Sequence, residues 1–188
     1  MDPKQSELIG LVRALVDSLE AAQLSYAVGG AIALAAWSEP RATKDVDITA
    51  FVSEDRVGDA LFDALVTAGL TVDRELATRD ARHRGMFVLR SDDGYRVDVF
   101  ISSIPFYDVA QARRQRVQLA GRDAWVLDPE SLAVFKMLFF RAKDLLDLQR
   151  LLEVRELDTG FVRTALVDVV GEDDERIARW DEMVGVSD

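Results

Sequence analysis

The chain has 188 residues, a formal net charge of −11, and 49% apolar and 30% charged residues. This length allows one domain with a sizeable core, with or without a small helical appendage. The absence of cysteine excludes disulfides, thiolate metal sites and thiol catalysis, and a single histidine, His83, excludes a multi-histidine zinc site. The acidic balance argues against a surface that coats nucleic acid, because such a surface needs many Lys and Arg residues.

Neither a membrane segment nor a secretory signal is predicted. The first ten residues, MDPKQSELIG, contain no basic region followed by an apolar one. The longest nearly apolar run, Tyr26 to Trp37, is too short to cross a bilayer. We therefore expect a soluble cytoplasmic protein.

The first half of the chain predicts alternating helices and strands. Apolar residues at helical spacing predict an amphipathic helix over about residues 5–22. LSYAV predicts a short strand ending at Gly29-Gly30, and AIALAAW predicts a buried helix directly after it. KDVDITAFV alternates apolar and polar residues, which is typical of a strand, and a further helix is predicted over residues 55–68.

The second half changes from strands to helices. RGMFVLR and YRVDVFI predict a hairpin with a turn at DDG. Asp128 is a plausible helix N-cap with Pro129 at the first helical position, and helices are predicted over about 129–140, 142–154, 158–170 and 173–184. The sequence thus predicts an α/β (α+β) core over residues 1–127, with a mixed sheet flanked by helices, and a helical region over residues 128–188.

Two aspartates in one strand are the feature that most needs a chemical explanation. Asp45 and Asp47 are two residues apart, so their carboxylates point from the same face and repel each other. Mg²⁺ compensates such charge well, because it prefers a few carboxylates together with phosphate oxygens. Asp98, in the later strand, would complete a site for two ions of the kind that supports phosphoryl transfer.

The glycine pair predicts a phosphate site beside these aspartates. Gly29 and Gly30 lie between a strand and a helix, where the backbone can approach a ligand and the helix N-terminus offers free N–H groups. Arg41, Thr43 and Lys44 precede the aspartates and could contact the same phosphates.

The order of these motifs carries a family resemblance. VGG, followed after fourteen residues by DVD and later by RVDVF, resembles the nucleotidyltransferase superfamily typified by DNA polymerase β. The form GGAIAL…RATKDVDI looks more particularly like the AbiEii-type branch, which includes the MenT toxins. The resemblance covers roughly residues 24–150 and implies the nucleotidyltransferase fold.

Further positions follow the AbiEii-type pattern. Ser131 and Lys136 in SLAVFK match a serine and a lysine five apart on a helix, for which the resemblance implies a triphosphate contact by Lys136. RAKDLLDL, with Asp144 and Asp147, matches a downstream acidic helix, although simple helical ion pairs explain these charges equally well. Arg82 stands where the family usually has a lysine three residues before a glycine.

The resemblance implies a Mg²⁺-dependent enzyme that uses two ions to transfer a nucleoside monophosphate from an NTP to a hydroxyl. Asp45, Asp47 and Asp98 would hold the metals, with a tRNA 3′ end as acceptor and an antitoxin protein as partner. The basic stretches at residues 79–84 and 113–116 would then form an RNA channel, although solvated surface charge also explains each stretch. Two alternatives are a nucleotidyltransferase of small antibiotics, which the acidic charge suits, and an inactive binding module.

Overall fold

Six strands form one mixed sheet in the computed structural model, which describes residues 3–154 and 156–185. Residues 155 and 186–188 of the predicted helical region, and residues 1 and 2, lie outside this range. The strands are β1 (Tyr26–Val28), β2 (Asp45–Ser53), β3 (Met86–Arg90), β4 (Arg96–Ser102), β5 (Gln115–Leu119) and β6 (Arg122–Val126).

Helices cover this sheet and follow it in the chain. Before residue 127 they are α1 (Pro3–Ala21), α2 (Gly30–Trp37), α3 (Asp59–Thr67), α4 (Arg74–Arg84) and α5 (Phe106–Arg113). After it come α6 (Pro129–Phe139), α7 (Ala142–Val154), α8 (Thr159–Val170) and α9 (Glu175–Val184). No helix within the described ranges is long and apolar enough to cross a membrane.

The strand order β3-β4-β2-β1-β6-β5 brings the ends of four strands together at one edge of the sheet. Strands β2 and β4 are parallel neighbours, and β1 runs antiparallel to β2, so the end of β1 lies beside the starts of β2 and β4. Strand β6 is parallel to β1 and also ends at this edge. Helices α2 and α6 begin directly after β1 and β6, so both helix N-termini lie at the same edge.

The buried core is continuous across the position where strands give way to helices. Leu34 in α2, Leu132 in α6, Leu148 in α7 and Trp180 in α9 all belong to one apolar cluster that also contains the buried faces of β1, β2 and β4. Helix α6 packs against α2, α7 and α8, and the Trp37 indole donates a hydrogen bond to the Leu127 carbonyl oxygen at 2.8 Å. The helical region therefore shares one hydrophobic core with the sheet.

The predicted fold class, a mixed α/β sheet flanked by helices, is confirmed. The single helix predicted over residues 55–68 is wrong in its first turns: a 3₁₀ turn at Glu54–Arg56 is followed by extended backbone at Val57 and Gly58 before α3 begins. Gly58 is the N-cap of α3, so the apolar residues that follow it form a separate helix.

Three elements were not predicted from the sequence. Helix α4 is strongly polar and buries only Ala77 and Ala81, so it has almost no apolar periodicity. Its ends were nevertheless signalled, because the Asp73 side chain caps its first turn and Gly85 ends it in a left-handed conformation with φ of 65°. The others are α5 and the β5–β6 hairpin, whose turn is at Ala120–Gly121.

Candidate active site

Three aspartates meet at the edge where β1, β2 and β4 converge. In the parallel register of β2 and β4, Asp47 is paired with Asp98 and Asp45 with Arg96. Because side chains two residues apart share a face, Asp45, Asp47 and Asp98 project together from one side of the sheet. We call these three residues the aspartate cluster.

Gly30 makes room for one of these carboxylates. A Cβ atom at Gly30 would lie 1.7 Å from the Asp47 Oδ2 atom, and the residue has a φ of +57° that side chains rarely adopt. The Gly29 amide donates to the Asp47 carbonyl oxygen at 2.8 Å, which ties the glycine turn to β2. Gly30 is therefore needed for two separate reasons, conformation and space.

The pKa of Asp47 is strongly perturbed. Burial, followed by the negative charges of Asp98 and Asp45, raises the pKa to about 6 against the opposing effect of Lys136 and Lys143. Such a raised pKa means that the ionised carboxylate is poorly stabilised by the protein alone. A bound cation would supply the missing stabilisation.

The aspartate cluster is not arranged as a finished metal site. Across residues 3–154 and 156–185, no group of three or more acidic or histidine side chains is spaced to hold an ion. Asp98 instead accepts a hydrogen bond at 2.6 Å from Nε of Arg96, and the Asp47 carboxylate lies against Gly30. The carboxylates share a face but do not yet converge on one point.

A buried ion pair network lies opposite the aspartates. Lys136 is only 3% exposed, and its Nζ donates to Asp147 Oδ2 at 2.7 Å and lies 3.7 Å from Asp144 Oδ1. Arg41 binds Asp147 through two hydrogen bonds of 2.7 and 2.9 Å, and Arg141 binds Asp144 at 2.5 Å. Lys136 therefore does not extend into solvent, and it has carboxylate partners within the protein.

Asp147 is the centre of this network. Burial acts to raise its pKa, but the hydrogen bonds from Arg41 and Lys136 outweigh burial and hold the pKa below its usual range. Two cations that are distant in the sequence thus share one carboxylate, and the paired charges satisfy the requirement that buried ions have partners.

One cleft joins the two groups of charges. The volume within it that the centre of a water molecule can occupy is about 60 Å³. The cleft brings together nine of the residues predicted from the sequence: Gly29, Gly30, Arg41, Thr43, Asp45, Asp47, Asp98, Lys136 and Asp144. Its lining also includes Phe100, Phe139, Arg141 and Lys143.

Three other predicted residues lie outside the lining of this cleft. Lys44 lines an adjoining groove that shares Arg41 and Thr43 with the cleft. Ser131 is fully buried in α6, and Arg82 lies in a separate groove between α3 and α4.

The arginines of the predicted second basic stretch are engaged within the protein. Arg113 pairs with the fully buried Asp128 at 2.9 Å, and its guanidinium lies 4.2 Å from the centre of the Phe161 ring. Arg114 lies against the ring of Trp125 at 4.4 Å, and Arg116 pairs with Glu20 at 3.1 Å. These contacts give the three arginines structural roles at the end of α5 and in the β5–β6 hairpin.

Solved structures similar to this chain are nucleotidyltransferases. The solution structure of the antibiotic-resistance factor ANT(2'')-Ia aligns over 100% of both chains, with 17% identity and a TM-score of 0.63. The crystal structure of ANT(2'')-Ia in complex with adenylyl-2''-tobramycin aligns over 86% of this chain and 98% of the other, with 14% identity and a TM-score of 0.61. A nucleotidyltransferase-like antigen of Paracoccidioides brasiliensis aligns over 99% of this chain and 94% of the other, with 18% identity and a TM-score of 0.52.

A lincomycin-bound structure of the lincosamide adenylyltransferase LnuA aligns over 77% of this chain and 96% of the other, with 13% identity and a TM-score of 0.51. No protein-family model matches the sequence, and no curated protein matches it significantly. At these identities the likeness concerns the fold, and the chain has the nucleotidyltransferase fold.

Proposed function

We propose that this protein transfers a nucleoside monophosphate from an NTP to an acceptor hydroxyl and releases pyrophosphate. The observation that carries the proposal is the aspartate cluster on one face of β2 and β4, directly beside the Gly29-Gly30 turn. The nucleotidyltransferase fold of the chain agrees with this chemistry. Fold alone does not determine function, so the argument depends on the site.

The aspartate cluster fits divalent magnesium in its donor chemistry. Mg²⁺ prefers carboxylate oxygens combined with substrate phosphate oxygens, and the cluster offers three carboxylates on one face. The raised pKa of Asp47 indicates an ionised group that a cation would stabilise. Asp45, Asp47 and Asp98 would hold two Mg²⁺ ions, which when bound neutralise charge on the attacking and leaving oxygens.

Other residues that line the cleft supply contacts for the donor. The backbone at Gly29 and Gly30, at the N-terminus of α2, binds phosphate oxygens, and Arg41 and Thr43 lie at the same cleft. Lys143 is exposed at the cleft and provides a further positive charge. Lys136 also lines the cleft and stabilises the negative charge of the bound donor, while it stays paired with Asp147.

An aromatic surface in the cleft is suited to the base. Phe100 lies two residues after Asp98 on the same face of β4, and its ring centre is 5.3 Å from that of Phe139. Phe139 is 41% exposed, which is unusual for a large apolar side chain. We assign base stacking to Phe139, with Phe100 supporting its ring.

Bond formation requires an acceptor hydroxyl aligned with the α-phosphorus of the donor. The hydroxyl oxygen attacks phosphorus, the bond to the bridging oxygen breaks, and pyrophosphate leaves with that electron pair. Asp98 is placed to accept the hydroxyl proton, because it lies on the strand next to Asp45 and Asp47. Positioning and charge stabilisation carry the reaction.

A small cationic molecule is the acceptor that the charge distribution favours. The net charge of −11 attracts cations, and Arg113, Arg114 and Arg116 are engaged in contacts within the protein and do not form an open basic channel. ANT(2'')-Ia, which shares the fold, was solved with adenylyl-2''-tobramycin. We keep an RNA acceptor, the tRNA 3′ end of a toxin–antitoxin system, as the second candidate because of the resemblance of the glycine and aspartate motifs to AbiEii-type toxins.

One labelling experiment separates these functions. The protein is incubated with Mg²⁺ and each α-³²P-labelled NTP, together with an aminoglycoside panel, total tRNA or cell protein. Label on an aminoglycoside supports the first acceptor, and label on tRNA supports the second. Absence of label on every acceptor, despite measurable NTP binding, would leave the inactive binding module in place of an enzyme.

A further inference from the structure

Arg96 is a fourth charged residue beside the aspartate cluster. Asp45 and Asp47 on β2 are register partners of Arg96 and Asp98 on β4, so all four side chains project from one face of the two strands. Three of these four side chains are negative, and that of Arg96 is positive. In the sequence, Arg96 directly precedes the strand pattern VDVF that carries Asp98.

Arg96 is hydrogen-bonded to Asp98, the carboxylate that would complete the metal site. Arg96 Nε donates to Asp98 Oδ1 at 2.6 Å, so the guanidinium occupies one of the two oxygens of the Asp98 carboxylate. The Asp98 side chain is 11% exposed, whereas that of Arg96 is 43% exposed. The carboxylate is thus fixed, and the cation has solvent into which it can move.

We propose that Arg96 is an exchangeable counter-ion of the aspartate cluster, and this inference rests on the proposed function. Without metal, Arg96 neutralises Asp98. When Mg²⁺ binds the cluster, like-charge repulsion displaces the guanidinium, which then contacts the incoming triphosphate on the same face. The exchange explains why the cluster is not arranged as a preformed metal site in the part of the chain that is described.

This arrangement makes metal and nucleotide bind cooperatively. Metal alone must break the Arg96–Asp98 contact without replacing it, whereas metal together with an NTP gives the guanidinium a new anionic partner. By thermodynamic linkage, NTP therefore strengthens metal binding, and metal strengthens NTP binding by the same factor. Replacing Arg96 removes the contact that has to be broken and should weaken this coupling.

Calorimetric titration of Mn²⁺, without and with the α,β-methylene analogue of each NTP, tests the inference in the absence of turnover. We expect R96A to bind Mn²⁺ alone about tenfold more tightly than wild type, since one charged hydrogen bond no longer has to be broken. The enhancement of Mn²⁺ affinity by the nucleotide analogue should shrink in R96A. R96K, which keeps the charge but loses the Nε donor, should lie between the two proteins.

Arg90 provides the matched control. It is the cross-strand register partner of Arg96 on β3 and carries the same charge, so R90A tests general electrostatics without removing the bond to Asp98. R90A should bind Mn²⁺ like wild type. Equal Mn²⁺ affinity and equal coupling in wild type and R96A, or equal gains in R96A and R90A, would overturn this inference alone. Absence of Mn²⁺ binding in every protein, with and without nucleotide, would overturn the proposed function together with it.

Discussion

Replacement of Asp47 by asparagine should stabilise the metal-free protein while it abolishes transfer. The pKa of Asp47 is raised from 3.8 to about 6, so the folded state holds its proton more tightly than the unfolded state. Wild-type stability therefore falls as the pH rises from about 4 to about 6, and it stays lower above that range. The shift of about two units corresponds to about 3 kcal/mol as an upper limit, and solvent at this half-buried site reduces it to roughly 1–2 kcal/mol.

Denaturant unfolding in EDTA at pH 4, 6 and 8 measures this effect. D47N should match wild type near pH 4, where Asp47 is protonated, and should exceed it at pH 8. Adding Mg²⁺ should then stabilise wild type but have little effect on D47N. Asp55 serves as a control, because the Ser53 hydroxyl lowers its pKa, and D55N should therefore not stabilise the protein. A D47N protein no more stable than wild type at pH 8, or with the same gain at pH 4, would refute the reasoning.

The remaining predictions concern other residues around the cleft. K136M should weaken NTP binding and lower the free energy of unfolding by about 2 kcal/mol, because a buried aspartate loses one of its two cations. K143M, at an exposed position in the same cleft, should weaken NTP binding without changing stability. Equal melting temperatures for the two variants would contradict this difference. R113A should cost about 2 kcal/mol by removing the arginine partner of a fully buried aspartate, with NTP affinity unchanged below the melting temperature, as measured by denaturant unfolding and calorimetry. G30A should abolish transfer and lower stability by about 2 kcal/mol, because the new Cβ overlaps the Asp47 carboxylate and the backbone conformation is strained; near-normal turnover would show that this close approach is not required.

The glycine and aspartate motifs predicted much of the cleft because strand periodicity is local. Alternation within KDVDITAFV places Asp45 and Asp47 on one face whatever the remainder of the fold. The same rule applied to YRVDVFI places Asp98 on the face opposite Val97, Val99 and Ile101. That the two strands are parallel neighbours depends on long-range pairing, which one sequence does not reveal, yet this pairing is what aligns Asp47 with Asp98.

The contacts of the charged side chains were much harder to predict. Lys136 and Asp147 are eleven residues apart on different helices, and Arg41 reaches Asp147 from a loop 106 residues away. The sequence therefore predicted a phosphate contact for Lys136 but not its buried ion pair with Asp147. Arg113 was grouped with its basic neighbours for the same reason, since its acidic partner Asp128 comes from a different element.

The sharing of Asp147 by two cations has a consequence for how the cleft can move. Arg41 lies on the loop between α2 and β2, while Lys136 is fixed within α6. If a ligand draws the Arg41 guanidinium outward, Lys136 still neutralises the buried carboxylate, so the displacement leaves no orphaned charge. The loop can therefore follow a substrate without leaving a buried charge unpaired.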